Sequence, residues 1–153
     1  MSLRLRSPLP SLEGITEWIN GKPDPDTLTG SPLMVYFWAM SCHVCHQNMP
    51  GLQSWREHCV PKGLQMVSIH CPRMKSDTDI ERVKLAVKHY GIVEPCGVDN
   101  MHKVKKAFEN EFWPSYYLFT PEGELKIRTV GKNALDMMLP HMKKMMKACD
   151  NIR

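Results

Sequence analysis

The chain has 153 residues, of which 42% are hydrophobic and 24% are charged. This composition is typical of one soluble globular domain and excludes a disordered chain, a coiled coil, a collagen and a small disulfide-stabilised protein. The net charge of +4 is spread over several segments, so it gives no argument for nucleic-acid binding.

Residues 1–32 are rich in proline and glycine. This pattern predicts an extended arm or hairpin, packed on the body of a single domain that spans residues 1–153. The longest apolar run, Leu33–Met40, is too short to span a bilayer, and no apolar signal segment follows the arginines near the N-terminus. We therefore expect a cytoplasmic protein that has no membrane segment.

The following chain alternates apolar runs with helical patterns. Two continuous apolar runs, at residues 33–39 and 64–70, predict central strands that are buried on both faces. A helical pattern at 43–59 separates them, and Pro50 is expected to kink that helix. A second helix is predicted from a capping segment at 76–79 to a stop at Gly91.

The last third of the chain predicts one more helix, a hairpin and a C-terminal helix. A short strand is predicted first, at 97–99, and the helix follows at 102–108. The two strands of the hairpin are predicted at 116–119 and 125–130, and the C-terminal helix at 133–148. The methionines of the last helix are expected to fill the core. The order of the elements predicts an α/β fold with a central mixed β-sheet and helices on both faces.

Six cysteines are present, and only Cys42 and Cys45 are closely spaced. A chain of this size does not need disulfides for stability, and a cytosolic chain rarely keeps them. We therefore expect the remaining four to be small buried apolar side chains, namely Cys59, Cys71, Cys96 and Cys149.

The pair Cys42 and Cys45 forms a CxxC motif where a buried strand ends and a helix begins. The helix N-terminus stabilises a thiolate, which is the form of cysteine that attacks disulfides. Cys42 is therefore the predicted nucleophile, and Cys45, about one turn later, the predicted resolving thiol. A protonated His43 would stabilise the thiolate further, or the side chain is simply solvated, while Val44 contributes packing.

The segment Tyr36–Cys45, in which Trp38 precedes the cysteine pair, resembles the strand and redox motif of the thioredoxin superfamily. Pro50 stands where these proteins carry a proline in the helix. Trp113 and Pro114 resemble the strand that begins with a cis-proline opposite the redox motif. The match covers roughly residues 10–148.

An extra segment at residues 71–100 is similar to the TlpA/ResA-like branch of that superfamily. The resemblance implies a thioredoxin-like fold with an N-terminal extension and an extra central βα segment. It also implies a cis peptide bond before Pro114, whose backbone would pair with a substrate. Exposed apolar residues around Trp113, Pro114 and Met40 would receive the partner chain.

At two positions the sequence differs from the pattern of its relatives. Tyr36 stands where thioredoxins have a buried aspartate, and Asn48 stands where ResA-like proteins have a glutamate. Both family residues accept the proton of the resolving thiol. In this chain His46 or Glu94 is available to take that role.

Three other readings of the motif remain open. Cys42 to His46 also satisfies the C-x-x-C-H pattern of c-type haem attachment, although an apolar strand leading into the motif is unlike a cytochrome loop. The two thiolates with His43 or His46 would suit Zn²⁺ or Cu⁺, but no second ligand pair completes the site. A peroxiredoxin shares the fold and resembles a P-x-x-x-T-x-x-C pattern. Ala39 occupies the position of the threonine, three residues before Cys42, so peroxidase activity is expected to be weak.

The resemblance implies a thiol-disulfide oxidoreductase that uses Cys42 and Cys45 without a bound cofactor or metal. Its expected partners are protein thiols and disulfides and a recycling reductant, with no nucleic acid and no membrane. A cytosolic setting favours a reductase, whereas a charged His43 would favour an oxidant. We also expect the protein to be a monomer. Thiolate metal binding is the alternative function.

Overall fold

The structure, a computed structural model, describes residues 2–146. Within this range six strands and four α-helices form. The strands are β1 (Glu17–Ile19), β2 (Leu33–Trp38), β3 (Gln65–His70), β4 (Cys96–Val98), β5 (Ser115–Phe119) and β6 (Leu125–Val130). The helices are α1 (His43–His58), α2 (Ile80–His89), α3 (Lys103–Ala107) and α4 (Ala134–Met145). Single turns of 3-10 helix lie at Pro25–Thr27, Val60–Lys62 and Lys75–Thr78.

The strands form one mixed sheet in the order β1-β4-β3-β2-β5-β6. β2, β3 and β4 are parallel, whereas β1, β5 and β6 run antiparallel to their neighbours. Trp38 is in register with His70, and His70 is in register with Val98, so the three parallel strands end together. The segments that follow them therefore meet at the C-terminal ends of these strands, and the cysteine pair lies there.

Helices cover both faces of the sheet, as the sequence predicts. α1, α2 and α4 pack in one buried cluster with one face of the central strands. α3 packs against the other face, where the N-terminal arm completes a second cluster. All six residues of β2 are buried, which explains why this strand is a continuous apolar run.

The N-terminal arm packs on the body as an extended segment, and no two strands within its described residues pair to form a hairpin. β1 pairs antiparallel with β4, far along the chain. At this pairing, Ile15 and Trp18 lie over the backbone of Gly97. A Cβ atom on Gly97 would lie 2.8 Å from Ile15 Cδ1 and 3.0 Å from Trp18 Cζ3, so a larger residue would force these side chains to shift. A second contact, an antiparallel bridge between Pro8 and Glu124, fixes the start of the arm.

The extra central segment contains the 3-10 turn Lys75–Thr78, α2 and β4. Pro50 lies inside α1. Met138 and Met142 of α4 are fully buried, as a role in core filling requires. The predicted end of the last helix at Ala148, and Cys149, lie outside the described residues. Among the described helices none has both the length and the apolar character that crossing a membrane requires.

Candidate active site

The cysteine pair lies where the chain passes from β2 into α1. Cys42 is the N-cap of α1, with an extended backbone (φ −91°, ψ 104°), and its Sγ accepts a hydrogen bond from the backbone N–H of Cys45 at 3.1 Å. The two residues form a disulfide with their Cα atoms 5.3 Å apart. N–H groups and the dipole at a helix N-terminus stabilise negative charge, so reduction leaves Cys42 well placed to carry a thiolate.

Access to the disulfide is restricted. Cys42 and Cys45 are only 2% and 1% exposed. The side chains of Met40 and Val44, both half-buried, pack beside them against the core. Val44 thus has the packing role that the sequence predicts, and a partner sulfur must approach over a small area.

The two residues before Cys42 are held by polar groups that the sequence analysis did not identify. The N–H of Met40 donates to His70 Nε2 at 3.1 Å. The N–H and hydroxyl of Ser41 donate to the two carboxylate oxygens of Asp77, at 3.0 and 2.6 Å. Asp77 belongs to the extra central segment. That segment therefore directly supports the redox loop, which is formed by residues 39–42 between β2 and α1.

Burial affects these two supporting groups differently. His70 is fully buried, and loss of solvation lowers its pKa to about 4, so its ring is neutral at pH 7. Burial opposes ionisation of Asp77, but hydrogen bonds from the Ser41 hydroxyl and the Arg73 N–H outweigh it and lower the pKa of this carboxyl. Asp77 is therefore a buried carboxylate beside the redox loop.

The two histidines of the motif occupy different environments. His43 is exposed, and its Nε2 shares a hydrogen bond of 3.2 Å with Gln47 Nε2 on the next turn of α1. His46 is half-buried, with its ring 5.1 Å from that of Tyr90. Its buried Nε2 has no hydrogen-bond partner in the described part of the chain, and burial lowers its pKa. His46 therefore has a neutral ring with an unoccupied nitrogen.

Trp38 is part of the core and not of the exposed surface. Its Nε1 donates to Ser68 Oγ at 2.7 Å, and its ring meets that of His70 edge-on with centroids 4.7 Å apart. Trp38 thus supports His70, which in turn accepts the hydrogen bond from Met40.

The loop before β5 contacts both buried clusters through Trp113. The Trp113–Pro114 peptide bond is cis. Trp113 is half-buried. Its Nε1 donates to the carbonyl of Cys71 at 2.9 Å, and the ammonium of Lys105 lies 5.8 Å from its ring centroid. Pro114 itself is buried. Phe112, which is 50% exposed, presents the apolar surface of this loop.

Tyr36, at the sequence position of the thioredoxin aspartate, contacts a buried ion pair. The Tyr36 hydroxyl donates to Glu94 Oε2 at 2.6 Å, and Arg56 Nε and Nη2 donate to Glu94 Oε1 and Oε2 at 2.7 and 2.9 Å. Burial raises the pKa of Tyr36 well above its ordinary value, and the Glu94 charge raises it further. Both oxygens of the Glu94 carboxylate are therefore occupied by these donors.

Asn48, at the position of the ResA glutamate, joins three elements. Its Nδ2 donates to the Tyr116 hydroxyl at 2.9 Å and to the Gly131 carbonyl at 3.1 Å. This amide thus ties α1 to β5 and to the end of β6. It offers a structural connection and no titrating group.

The other described cysteines are buried, as the sequence predicts. Cys59, Cys71 and Cys96 each have no exposed surface. Burial raises the pKa of the Cys71 thiol and raises that of Cys96 to about 11, so neither competes as a nucleophile at neutral pH. Within residues 2–146 no group of three or more His, Cys, Asp or Glu residues is arranged to hold a metal ion.

Comparisons with known proteins agree with this geometry. Residues 14–128 match the model of the AhpC/TSA family. The chain is 34% identical over 137 residues to the thiol-disulfide oxidoreductase YkuV of Bacillus subtilis, which covers 89% of this chain and 92% of YkuV. It is 22% identical over 130 residues to the thiol-disulfide oxidoreductase ResA of Bacillus thuringiensis, covering 85% of this chain and 72% of ResA.

Solved structures give the same result. The solution structure of a thioredoxin-like protein in the oxidised form superposes with a TM-score of 0.85 at 31% identity, covering 97% of this chain and all of that one. The crystal structure of the thioredoxin-like superfamily protein SPOA0173, at 20% identity and a TM-score of 0.76, supports the fold alone.

Proposed function

Because the chain belongs to the AhpC/TSA family and has a thioredoxin-like fold, we propose that it exchanges its Cys42–Cys45 dithiol and disulfide with those of partner proteins. It is a thiol-disulfide oxidoreductase, as the resemblance to the thioredoxin superfamily and its TlpA/ResA-like branch implies. The observation that carries this assignment is the disulfide at the N-terminus of α1, with the Cys45 N–H directed at Cys42 Sγ.

The reaction proceeds through a mixed disulfide. The Cys42 thiolate attacks one sulfur of a partner disulfide, forms a Cys42–partner bond and releases the second partner sulfur as a thiolate. Cys45 then loses its proton and attacks Cys42 Sγ, which forms the Cys42–Cys45 disulfide and releases the first partner sulfur. The partner gains the two electrons that the cysteine pair loses, and a recycling thiol reductant restores the pair.

For the proton of Cys45, the hydrogen bonds that the two candidates already make favour His46 over Glu94. His46 follows Cys45 directly and has a neutral ring with an unoccupied Nε2 in the described structure. Glu94 is instead committed to Tyr36 and Arg56. His46 is therefore our candidate acceptor, and Asn48 has no part in proton transfer.

The finer assignments are a monomeric reductase that acts in the cytoplasm and is restored by a recycling reductant. The cytoplasmic setting is supported by the two buried thiols Cys71 and Cys96, which suit a reducing compartment. Sedimentation of the purified protein tests the monomer, and fractionation of cells tests the compartment.

The decisive experiment is a redox titration of the purified protein against glutathione, followed by alkylation and peptide mass mapping. We expect one reversible two-electron step confined to Cys42 and Cys45. Absence of that step, or protection of the two thiols by a stoichiometric metal, would overturn the assignment in favour of thiolate metal binding.

A peroxidase is the second candidate, because the matching family model and the fold admit it. The buried Ala39 has no hydroxyl with which to bind a peroxide oxygen. We therefore expect slow hydrogen peroxide consumption by a Cys45→Ser variant. Rapid consumption would make peroxide reduction the main activity.

A further inference from the structure

Asp77 is the best-defined polar neighbour of the redox loop outside the cysteine motif. It is 2% exposed, and its carboxylate accepts three hydrogen bonds: from the Ser41 N–H at 3.0 Å, from the Ser41 hydroxyl at 2.6 Å and from the Arg73 N–H at 2.9 Å. Two of these bonds fix the residue that immediately precedes Cys42. The loop therefore cannot shift relative to Asp77 without breaking them.

The charge of this carboxylate is not cancelled by a neighbour. In the described part of the chain no lysine or arginine forms an ion pair with Asp77. The Arg73 side chain bonds instead to the Ser41 carbonyl, at 3.4 Å. His70, the titratable group that interacts with Asp77 from β3, is neutral at pH 7 because burial lowers its pKa to about 4.

From these contacts, and resting on the proposed function, we propose that Asp77 is a positioning residue that holds Ser41 and opposes a negative charge on Cys42. A thioredoxin-like pair becomes a strong oxidant when its reduced form is stabilised. A buried negative charge beside the nucleophile has the reverse effect, because it destabilises the reduced, thiolate-bearing form. Asp77 thereby biases the Cys42–Cys45 pair toward giving electrons away.

The remaining charged groups at this site act in the opposite direction. The N-terminus of α1 favours the thiolate, and so does the Arg73 guanidinium, which bonds to the Ser41 carbonyl. A proton on His43 or His46 of the same helix would act in the same direction. His89 of α2 interacts with His46. The balance between these groups and Asp77 sets the potential, and removal of the Asp77 charge tests it directly.

The test compares Asp77→Asn with the matched control Asp79→Asn. Both variants lose one negative charge in the same segment, but Asp79 is exposed and caps α2 through the Arg82 N–H, a role that asparagine fills equally well. Ser41→Ala is the second control, since it removes the hydroxyl bond and leaves the Asp77 charge. The reduced proteins are alkylated with iodoacetamide over a pH series, and the labelling of Cys42 is followed by peptide mass mapping.

For Asp77→Asn we expect the pKa of Cys42 to fall by about one unit, as removal of a nearby charge in a partly buried site predicts. Equilibrium with glutathione should shift about tenfold toward the reduced pair, which is about 30 mV for a two-electron couple. Asp79→Asn and Ser41→Ala should remain close to the unaltered protein in both measurements.

Equal Cys42 pKa values in Asp77→Asn and Asp79→Asn would overturn the proposal, and so would a shift in Ser41→Ala as large as that in Asp77→Asn. Circular dichroism confirms folding of each variant, and Asp77→Ser replaces Asp77→Asn if the amide is not tolerated. Alkylation reports on Cys42 whether or not the pair exchanges disulfides. Failure of the redox titration with the unaltered protein would instead indicate that the proposed function is wrong.

Discussion

The positions of Cys42 and Cys45 on α1 give the two sulfurs different roles. Cys42 caps the helix, where its sulfur accepts an N–H, whereas Cys45 lies inside the first turn. A sulfur at the helix terminus is the better stabilised thiolate, so Cys42 is the nucleophile and Cys45 resolves the mixed disulfide.

The first prediction concerns these roles. Cys42→Ser should reduce the rate of disulfide exchange with a model substrate such as insulin to the uncatalysed background. Cys45→Ser should instead accumulate a covalent adduct that dithiothreitol releases, because the mixed disulfide is no longer resolved. Both are measured by turbidity and by non-reducing electrophoresis.

Cys71→Ala is the control, since it removes a buried thiol of raised pKa and leaves the motif intact. It should retain full exchange activity. Full activity of Cys42→Ser would mean that another thiol is the nucleophile.

The second prediction separates charged from neutral hydrogen bonds. Tyr36→Phe removes the donor to the Glu94 carboxylate and should lower the free energy of unfolding by about 1.5–3 kcal/mol. Tyr117→Phe removes a donor to the neutral Asn110 Oδ1 and should cost about 0.5–1.5 kcal/mol. Urea unfolding of the two variants measures both losses. Equal losses would show that the Glu94 charge adds nothing to the strength of the Tyr36 hydrogen bond.

Sequence reasoning identified the reactive residues and missed those that hold them. The spacing of Cys42 and Cys45 is local and therefore visible in the sequence. The Ser41–Asp77 bond joins residues 36 positions apart, and the Tyr36–Glu94 bond joins residues 58 positions apart. No local pattern indicates either contact, since both depend on how the parallel strands align.

At the scale of elements, the strands with continuous apolar runs were predicted nearly to the residue. β2 spans Leu33–Trp38 and was predicted at 33–39, because burial on both faces requires an unbroken apolar run. β1 was predicted as part of an arm or hairpin. Its three residues are half-buried and show no period, and their partner β4 lies about 80 residues later in the chain.

The third prediction tests the junction of these two strands. Gly97→Ala places a methyl group 2.8 Å from Ile15 Cδ1 and should lower the free energy of unfolding by about 1–3 kcal/mol through overpacking. The same change made in an Ile15→Ala background should cost less, because only the Trp18 ring, at 3.0 Å, then remains close to the new methyl group. Urea unfolding of the four proteins completes this cycle. A cost that is the same in both backgrounds would contradict the proposed contact.

At the scale of the whole molecule, the buried His70 couples stability to pH. In the folded protein its pKa is lowered from 6.5 to about 4 by burial. Between these values the unfolded chain binds a proton that the folded protein does not. The free energy of unfolding therefore falls as the pH falls through this window.

The fourth prediction gives the size of this effect. From pH 6.5 to pH 4, His70 should account for a loss of about 3 kcal/mol, since each pKa unit corresponds to about 1.4 kcal/mol. Urea unfolding at several pH values should show a shallower dependence for His70→Gln. His58→Gln, which removes an exposed histidine, is the control for the loss of one imidazole. An unchanged slope in His70→Gln would contradict the prediction.

The order of the strands also affects the tendency of the protein to aggregate at high concentration. The sheet ends on one side with β1, which has three residues, and on the other with β6, where Lys126 is exposed and the pairing with β5 contains an irregularity near Leu118. Short outer strands, lysines and bulges are the means by which proteins discourage another chain from adding a strand to an open sheet edge. Both borders of the sheet therefore resist the intermolecular β-pairing that leads to aggregation.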